Sequence, residues 1–453
     1  MRLSLAGIAS LLVACSSVEA GTGAGDSSST ASVSASASAS ASASASASDS
    51  TTPPTTSLDT GSDTNTPATS PTNDPTAQTS VATEGDTTDP NSGTTDAGEV
   101  SGTTGQGGQQ VPPGSRIPVG GTDSFLLGAN YPWKSYGGDF GSNAWGVYGV
   151  HTKPDEIAGQ FQQMADGGLQ VVRWFIFTDG RAGVIFDNSG TPSGLHEDVL
   201  KDFDAAVSIA RDHGVYLVPV LFDFHWMFWS KQENQVQVSG RSDTITDPVK
   251  RAALVEKVVI PLLAAYKDEP AILAWEIMNE PEWSIADLPE GSPNNQANPV
   301  PLADFYALSV AIADAVHNTT SAYVTLGSAS IKWIKVWTPT FAAAHGLPIL
   351  NLDFYQAHYY PWMDGQGFDN HADYGTLKFS PNEQTYAGLG LDRPLVIGEL
   401  IISDDASNRI DLLLNNGYAG VWPWSLNSDY SLDLPGIKSW ADAHADIADL
   451  PAP

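Results

Sequence analysis

Eight short apolar runs of β type recur between residues 121 and 453, and the stretches separating them carry helical periodicity. The runs are Phe125–Asn130, Leu169–Phe175, Val215–Phe222, Ile272–Met278, Ala322–Leu326, Leu352–Tyr359, Pro394–Gly398 and Ala419–Trp424. Between them lie amphipathic segments at Pro154–Asp166, Glu197–His213, Asp247–Tyr266 and Pro301–His317, with shorter ones near Asp405–Asn415 and Ile437–Ala445. Strands that alternate with helices read as βα units on a parallel sheet, because a parallel pair needs a crossover long enough to hold a helix. Eight such units predict an α/β fold of the (β/α)8 barrel type. They occupy about 330 residues against the usual ~250, which leaves length for loops at one mouth. An open doubly wound sheet would carry a glycine-rich phosphate loop after an early strand, and Ala129-Asn130-Tyr131-Pro132 is no such loop.

The fourth run has the sharpest ending. Ala271 to Met278 is almost wholly apolar, and then polarity switches at Asn279-Glu280-Pro281. Pro281 has no backbone N–H and cannot continue a central strand, so the strand stops there. A carboxylate is thus held at the end of a rigid buried element, the placement expected of a catalytic acid, since burying an idle charge is costly. Glu276 lies inside the apolar strand and reads as structural, whereas Glu282, just past Pro281, is placed to touch substrate.

In barrels, chemistry collects where strands end, at the C-terminal mouth. The second run ends Val172-Arg173-Trp174, and a planar, permanently charged guanidinium can orient a carboxylate and keep it ionised. The third ends Asp223-Phe224-His225, the sixth His358-Tyr359-Tyr360-Pro361-Trp362, the seventh Ile397-Gly398-Glu399, and the eighth Trp422-Pro423-Trp424-Ser425. A second glutamate therefore arrives at a second strand end, far along the chain from Glu280.

These endings resemble the glycoside hydrolases that carry two catalytic glutamates on a (β/α)8 barrel, and most resemble family 5, the cellulase and endo-β-mannanase type. The resemblance implies Glu280 as acid/base and Glu399 as nucleophile of a retaining endo-acting enzyme on β-1,4-linked mannan or glucan. It further implies Arg173 beside the nucleophile, Asn279 on the sugar 2-hydroxyl, His225 in an Asp-x-His pattern and His358 near the acid/base. Tyr360 would bond the nucleophile, with the neighbouring Tyr359 as the alternative register. Trp424 would floor the sugar site, with Trp422 as the alternative. Further aromatics near strand ends, among them Tyr131, Trp133, Trp226, Trp229, Trp283, Trp333 and Trp362, are candidates for an extended cleft, while Trp275 and Trp440 read as core packing. An exo-acting or transglycosylating enzyme on the same fold, and a non-catalytic carbohydrate-binding surface lipoprotein, are the alternatives. A metal site from Asp223, His225 and His358 lacks a spacing motif, so no metal and no cofactor are expected.

The amino terminus reads differently. Residues 1–15 carry one basic residue, an apolar run too short to span a bilayer, and Leu12-Val13-Ala14-Cys15, which resembles a lipoprotein box with Cys15 as the lipidation site. Cys15 is also the single cysteine of the chain, which excludes disulfides and cysteine catalysis from the rest. Residues 16–120 are Ser, Ala, Thr, Gly and Pro with scattered acids, a composition that cannot offset its ordering entropy and predicts a disordered spacer. Such a spacer would reach about 60 Å root-mean-square. Export as a bacterial outer-membrane or surface lipoprotein, or secretion, follows as the expectation, with membrane contact only through the lipid anchor. The net charge of −32 argues against nucleic acid as a partner and suits a neutral polysaccharide or oligosaccharide bound by a monomer.

Overall fold

In the computed structural model, residues 114–291, 298–427 and 430–453 are described. The lipoprotein box with Cys15 and most of the spacer lie outside the described residues, as does 292–297 of the long segment after the fourth strand. Among the described residues no helix is long and apolar enough to cross a membrane.

The eight runs form one closed parallel barrel. Its strands are β1 (Leu126–Asn130), β2 (Val171–Phe175), β3 (Tyr216–Asp223), β4 (Ala274–Asn279), β5 (Tyr323–Ser328), β6 (Tyr355–His358), β7 (Leu395–Glu399) and β8 (Gly420–Val421). β8 is shorter than its apolar run because Pro423 has no N–H to give the ladder. The chain still follows β7, with Trp422 and Trp424 donating backbone N–H groups to Ile397 and Leu400.

Side chains on a strand alternate between faces, so register decides which residues share the lumen. Asn130 is level with Arg173, Asn279 with Asp223, and His358 with Glu399. These pairings bring the polar strand ends to one height at the C-terminal mouth. The opposite mouth is closed by the hairpin Ile117–Val119 with Thr122–Ser124, whose Ile117 and Val119 are fully buried with Leu450 against the starts of the strands. Folded structure therefore begins ahead of the boundary expected at 120, since Ile117 and Val119 are the two residues there with apolar surface to bury.

Outside the barrel run α1 (Pro154–Asp166), α2 (Glu197–Asp212), α3 (Pro248–Leu254), α4 (Ile260–Ala265) and α5 (Leu302–Thr319). The single helix read over 247–266 is interrupted by a π turn at Val255–Val259. Pro261 cannot donate to the preceding turn, and a local change of winding absorbs the missing bond. Trp275, on β4, is fully buried and stacks on Phe203 of α2 with ring centroids 5.9 Å apart. The spare length becomes three short hairpins in the connections after β2, β3 and β6: 184–195, 231–238 and 367–378.

Candidate active site

Glu280 follows the last residue of β4 and adopts the left-handed conformation, φ 44°, ψ 50°. That conformation costs a non-glycine residue about 1–2 kcal/mol, and it is held from both sides. The Glu280 N–H donates to Gly327 O at 2.7 Å, while Pro281 begins a tight turn that swings Trp283 back to donate Nε1–H to Glu280 Oε2 at 2.8 Å. The turn thus aims the carboxyl across the mouth rather than along the strand. Glu399 ends β7, and one of its carboxylate oxygens lies within 4.8 Å of one from Glu280.

Arg173 organises what lies beneath. Its Nε and Nη2 donate to the two oxygens of Glu276 at 2.7 and 2.6 Å, and Nη2 also reaches Asn279 Oδ1 at 2.7 Å. Its Nη1 donates to Glu399 Oε1 at 2.6 Å and to Asn130 Oδ1 at 2.9 Å. The guanidinium is fully buried, which only so complete a set of partners makes tolerable. Glu276 is structural, as expected. Asn279 is committed through both ends of its amide, because Nδ2 also donates to Asp223 Oδ2 at 2.7 Å.

The two glutamates differ in surroundings. Tyr360 donates its hydroxyl to Glu399 Oε2 at 2.7 Å, so Glu399 accepts from a cation and a phenol. Burial raises its pKa above the ordinary carboxylate value, but the Arg173 charge and the Tyr360 hydroxyl pull against that rise. Among the described residues Glu280 has no direct contact with a cation. Burial first, and then the Asp223 carboxylate, push its pKa up to about 8. His358, fully buried with Nδ1 2.7 Å from Glu280 Oε1, is lowered by burial to about 4 and is neutral. For His225, burial works against the charge, but Asp223, Asp179 and Glu280 outweigh it and its pKa ends raised. Its Nδ1 contacts Asp223 Oδ1, which also caps the following turn by accepting the His225 backbone N–H.

The register questions resolve from contacts. Tyr360 reaches Glu399, and Tyr359 turns away to Asp364. Trp422 is fully buried with the residues that plug the far mouth, whereas Trp424 packs on Phe175 and Val220 and meets Trp133 at 6.0 Å. Glu282 corrects an expectation. It is fully buried, accepting from Ser328 Oγ, the Ala329 N–H and Trp337 Nε1, so it ties β4 to β5 and touches no substrate. Tyr131, Trp226 and Trp333 are buried too, leaving Trp133 and Trp283 half-exposed at the mouth and Trp229 and Trp362 exposed. Among the described residues, the set of three groups close enough to share a cation is Glu280, His358 and Glu399, not Asp223, His225 and His358. All three already share hydrogen bonds or ion pairs with one another or with Arg173, so the set behaves as a proton-sharing group.

Sequence reasoning passed over Asn130 and Gln356 as site-builders. A polar residue inside an otherwise apolar strand, two positions from a site residue, was the available signal for Gln356.

The model of the family described as Cellulase (glycosyl hydrolase family 5) matches residues 135–429. A mannan endo-1,4-beta-mannosidase of Cryptopygus antarcticus is 26% identical over 72% of this chain and 88% of its own length, and one of Mytilus edulis is 25% identical over 72% and 90%. Among solved structures, a beta-1,4-mannanase of the sea hare Aplysia kurodai superposes with a TM-score of 0.62 over 75% of this chain and 98% of that one, at 22% identity. With its closed eight-stranded barrel and two facing glutamates, the chain belongs to glycosyl hydrolase family 5.

Proposed function

We propose that the chain is a retaining endo-β-1,4-mannanase, with Glu399 as nucleophile and Glu280 as acid/base. The observation that carries the chemistry is the separation within 4.8 Å of one oxygen from each carboxyl, in unlike surroundings. Retention of configuration uses carboxyl groups about 5–5.5 Å apart, while inversion needs about 6.5–9.5 Å to admit a water. Glu399, held ionised by Arg173, attacks the anomeric carbon as Glu280 gives its proton to the leaving oxygen. Water, deprotonated by Glu280, then releases the sugar from Glu399. Asn279 faces the 2-hydroxyl, and Trp424 covers the sugar face. Mannan is favoured as the substrate because the relatives named above carry that activity.

Hydrolysis of galactomannan and glucomannan should exceed that of carboxymethylcellulose and xylan by about tenfold or more. Viscosity should fall early relative to the release of reducing ends. A preference for carboxymethylcellulose would move the substrate to β-glucan, and release of mannose alone from chain ends would make the enzyme exo-acting.

The rate should depend on pH with a definite sign. Glu280 must carry a proton, so kcat/KM should be sustained below pH 8 and fall about tenfold per unit above it. Glu399 must be ionised, so the acid limb should lie above the ordinary carboxylate range, because its pKa is raised. A kcat/KM profile flat from pH 7 to 10 would remove Glu280 as the acid.

A further inference from the structure

We infer that Gln356 is a positioning residue which, held by Glu276 on one side, fixes His358 as its Nε2–H tautomer and so keeps the acid proton on Glu280 between turnovers. The inference rests on the reading of Glu280 as acid/base and concerns a residue to which that reading gives no part. The argument is one of donors and acceptors. Glu276 takes two hydrogen bonds from Arg173, one on each oxygen, and is locked as an acceptor. Gln356 Nε2 lies 2.8 Å from Glu276 Oε2, and only the amide NH2 can face a carboxylate, so the amide has one orientation. Its Oε1 then faces His358 Nε2 at 3.3 Å and must accept from it. A neutral imidazole with its hydrogen on Nε2 presents a lone pair at Nδ1. That lone pair lies 2.7 Å from Glu280 Oε1, and the pair bonds only if Glu280 supplies the hydrogen. Glu280 Oε2 already accepts from Trp283, which leaves Oε1 as the protonated oxygen.

Two glycines make room for this chain of contacts. A Cβ on Gly327 would stand 2.3 Å from Glu276 Oε1, and one on Gly398 would stand 1.9 Å from Gln356 Oε1. Gln356 and His358 are two residues apart on β6 and so share the lumen face. Several other groups face the Glu280–His358 pair. These are Arg173 from β2, Asp223 and His225 from the end of β3, Glu276 from β4, Tyr360 from the end of β6 and Glu399 from β7. Among the described residues none of these hydrogen-bonds His358 Nε2, and Glu399 Oε1, 3.5 Å from Nδ1, is already taken up by Arg173, so the choice of tautomer falls to Gln356. The lowered pKa of His358, neutral at ordinary pH, agrees with this assignment. When substrate enters, the Glu280 O–H turns from one neutral acceptor, Nδ1, to another, the glycosidic oxygen.

The first test needs no variant. Ring-nitrogen NMR of His358 in the wild-type enzyme at pH 6–7, assigned by its loss in His358→Asn, should show hydrogen on Nε2 and none on Nδ1. An Nδ1–H tautomer or an imidazolium would overturn the inference. The second test replaces Gln356 by Met, which fills the space without either hydrogen bond. His358 is then free to carry hydrogen on Nδ1 and donate to Glu280, which stabilises the carboxylate. The alkaline limb of kcat/KM on mannan should move down by about one pH unit, with the acid limb in place. Gly398→Ala, which pushes Gln356 aside, should move it the same way. Cleavage of a dinitrophenyl glycoside, whose leaving group needs no proton, should be nearly unchanged in glycosylation rate. An equal loss at every pH and on both substrates would make Gln356 merely structural. If the wild type hydrolysed no β-glycan the proposed function would fall, and the tautomer measurement would still decide the role of Gln356.

Discussion

Glu399→Ala is expected to lower kcat on mannan by about five orders of magnitude, the scale of losing a covalent nucleophile, while the protein stays folded. The fold survives because Arg173 keeps four of its five hydrogen bonds, to Glu276, Asn130 and Asn279. The alanine leaves a cavity beside a cation, which is a place for a small anion. Azide should therefore restore cleavage of an activated aryl β-mannoside, attacking from the side Glu399 occupied and giving the α-glycosyl azide. Glu280, untouched, still serves the leaving group. A β-azide product would exchange the two roles, and full activity without azide would reject the assignment.

Arg173→Met should damage both the fold and the rate. Removing the guanidinium leaves Glu276 and Glu399, both inside the barrel, without their shared cation, and strands the acceptor oxygens of Asn130 and Asn279. Losing one partner of a buried ion pair costs about 3–5 kcal/mol, read as a fall in the urea midpoint. The rate should fall with it, because Glu399 loses the charge that opposes its raised pKa, and the acid limb should move to higher pH. Arg173→Lys should fall between, since an ammonium keeps the charge but has three donors where the fork makes five bonds. By contrast, removing the exposed Lys438–Asp442 pair should change stability by less than about 0.5 kcal/mol. Stability of Arg173→Met equal to that of the wild type would mean that water or rearrangement replaces the cation.

How much of this was legible in the sequence follows from how local each signal is. The eight apolar runs, the break at Pro281 and the acids at two strand ends depend on neighbours along the chain, and all reappear in the barrel. The three hairpins at 184–195, 231–238 and 367–378 were hidden because strands of three to five residues leave too few alternations to register. Glu282 misled because adjacency to Glu280 suggested the cleft, whereas the turn after Pro281 points it at Ser328 and Trp337. Trp226 and Trp333 misled likewise, since next to a strand end they had even chances of facing the mouth or the helices.

By itself, then, the sequence determined that this chain closes a ring of parallel strands and delivers Glu280 and Glu399 to one rim. Spacing, periodicity and a proline are enough for that. The family resemblance implied which glutamate holds the proton, but the physical reason for that assignment lies in the tertiary structure alone. It depends on Arg173 from β2, Asp223 from β3, Gln356 and His358 from β6, and on whether each stands as donor or acceptor within 3.5 Å. Electrostatics and hydrogen bonding act through space, and these residues come within range of one another only once the barrel has closed.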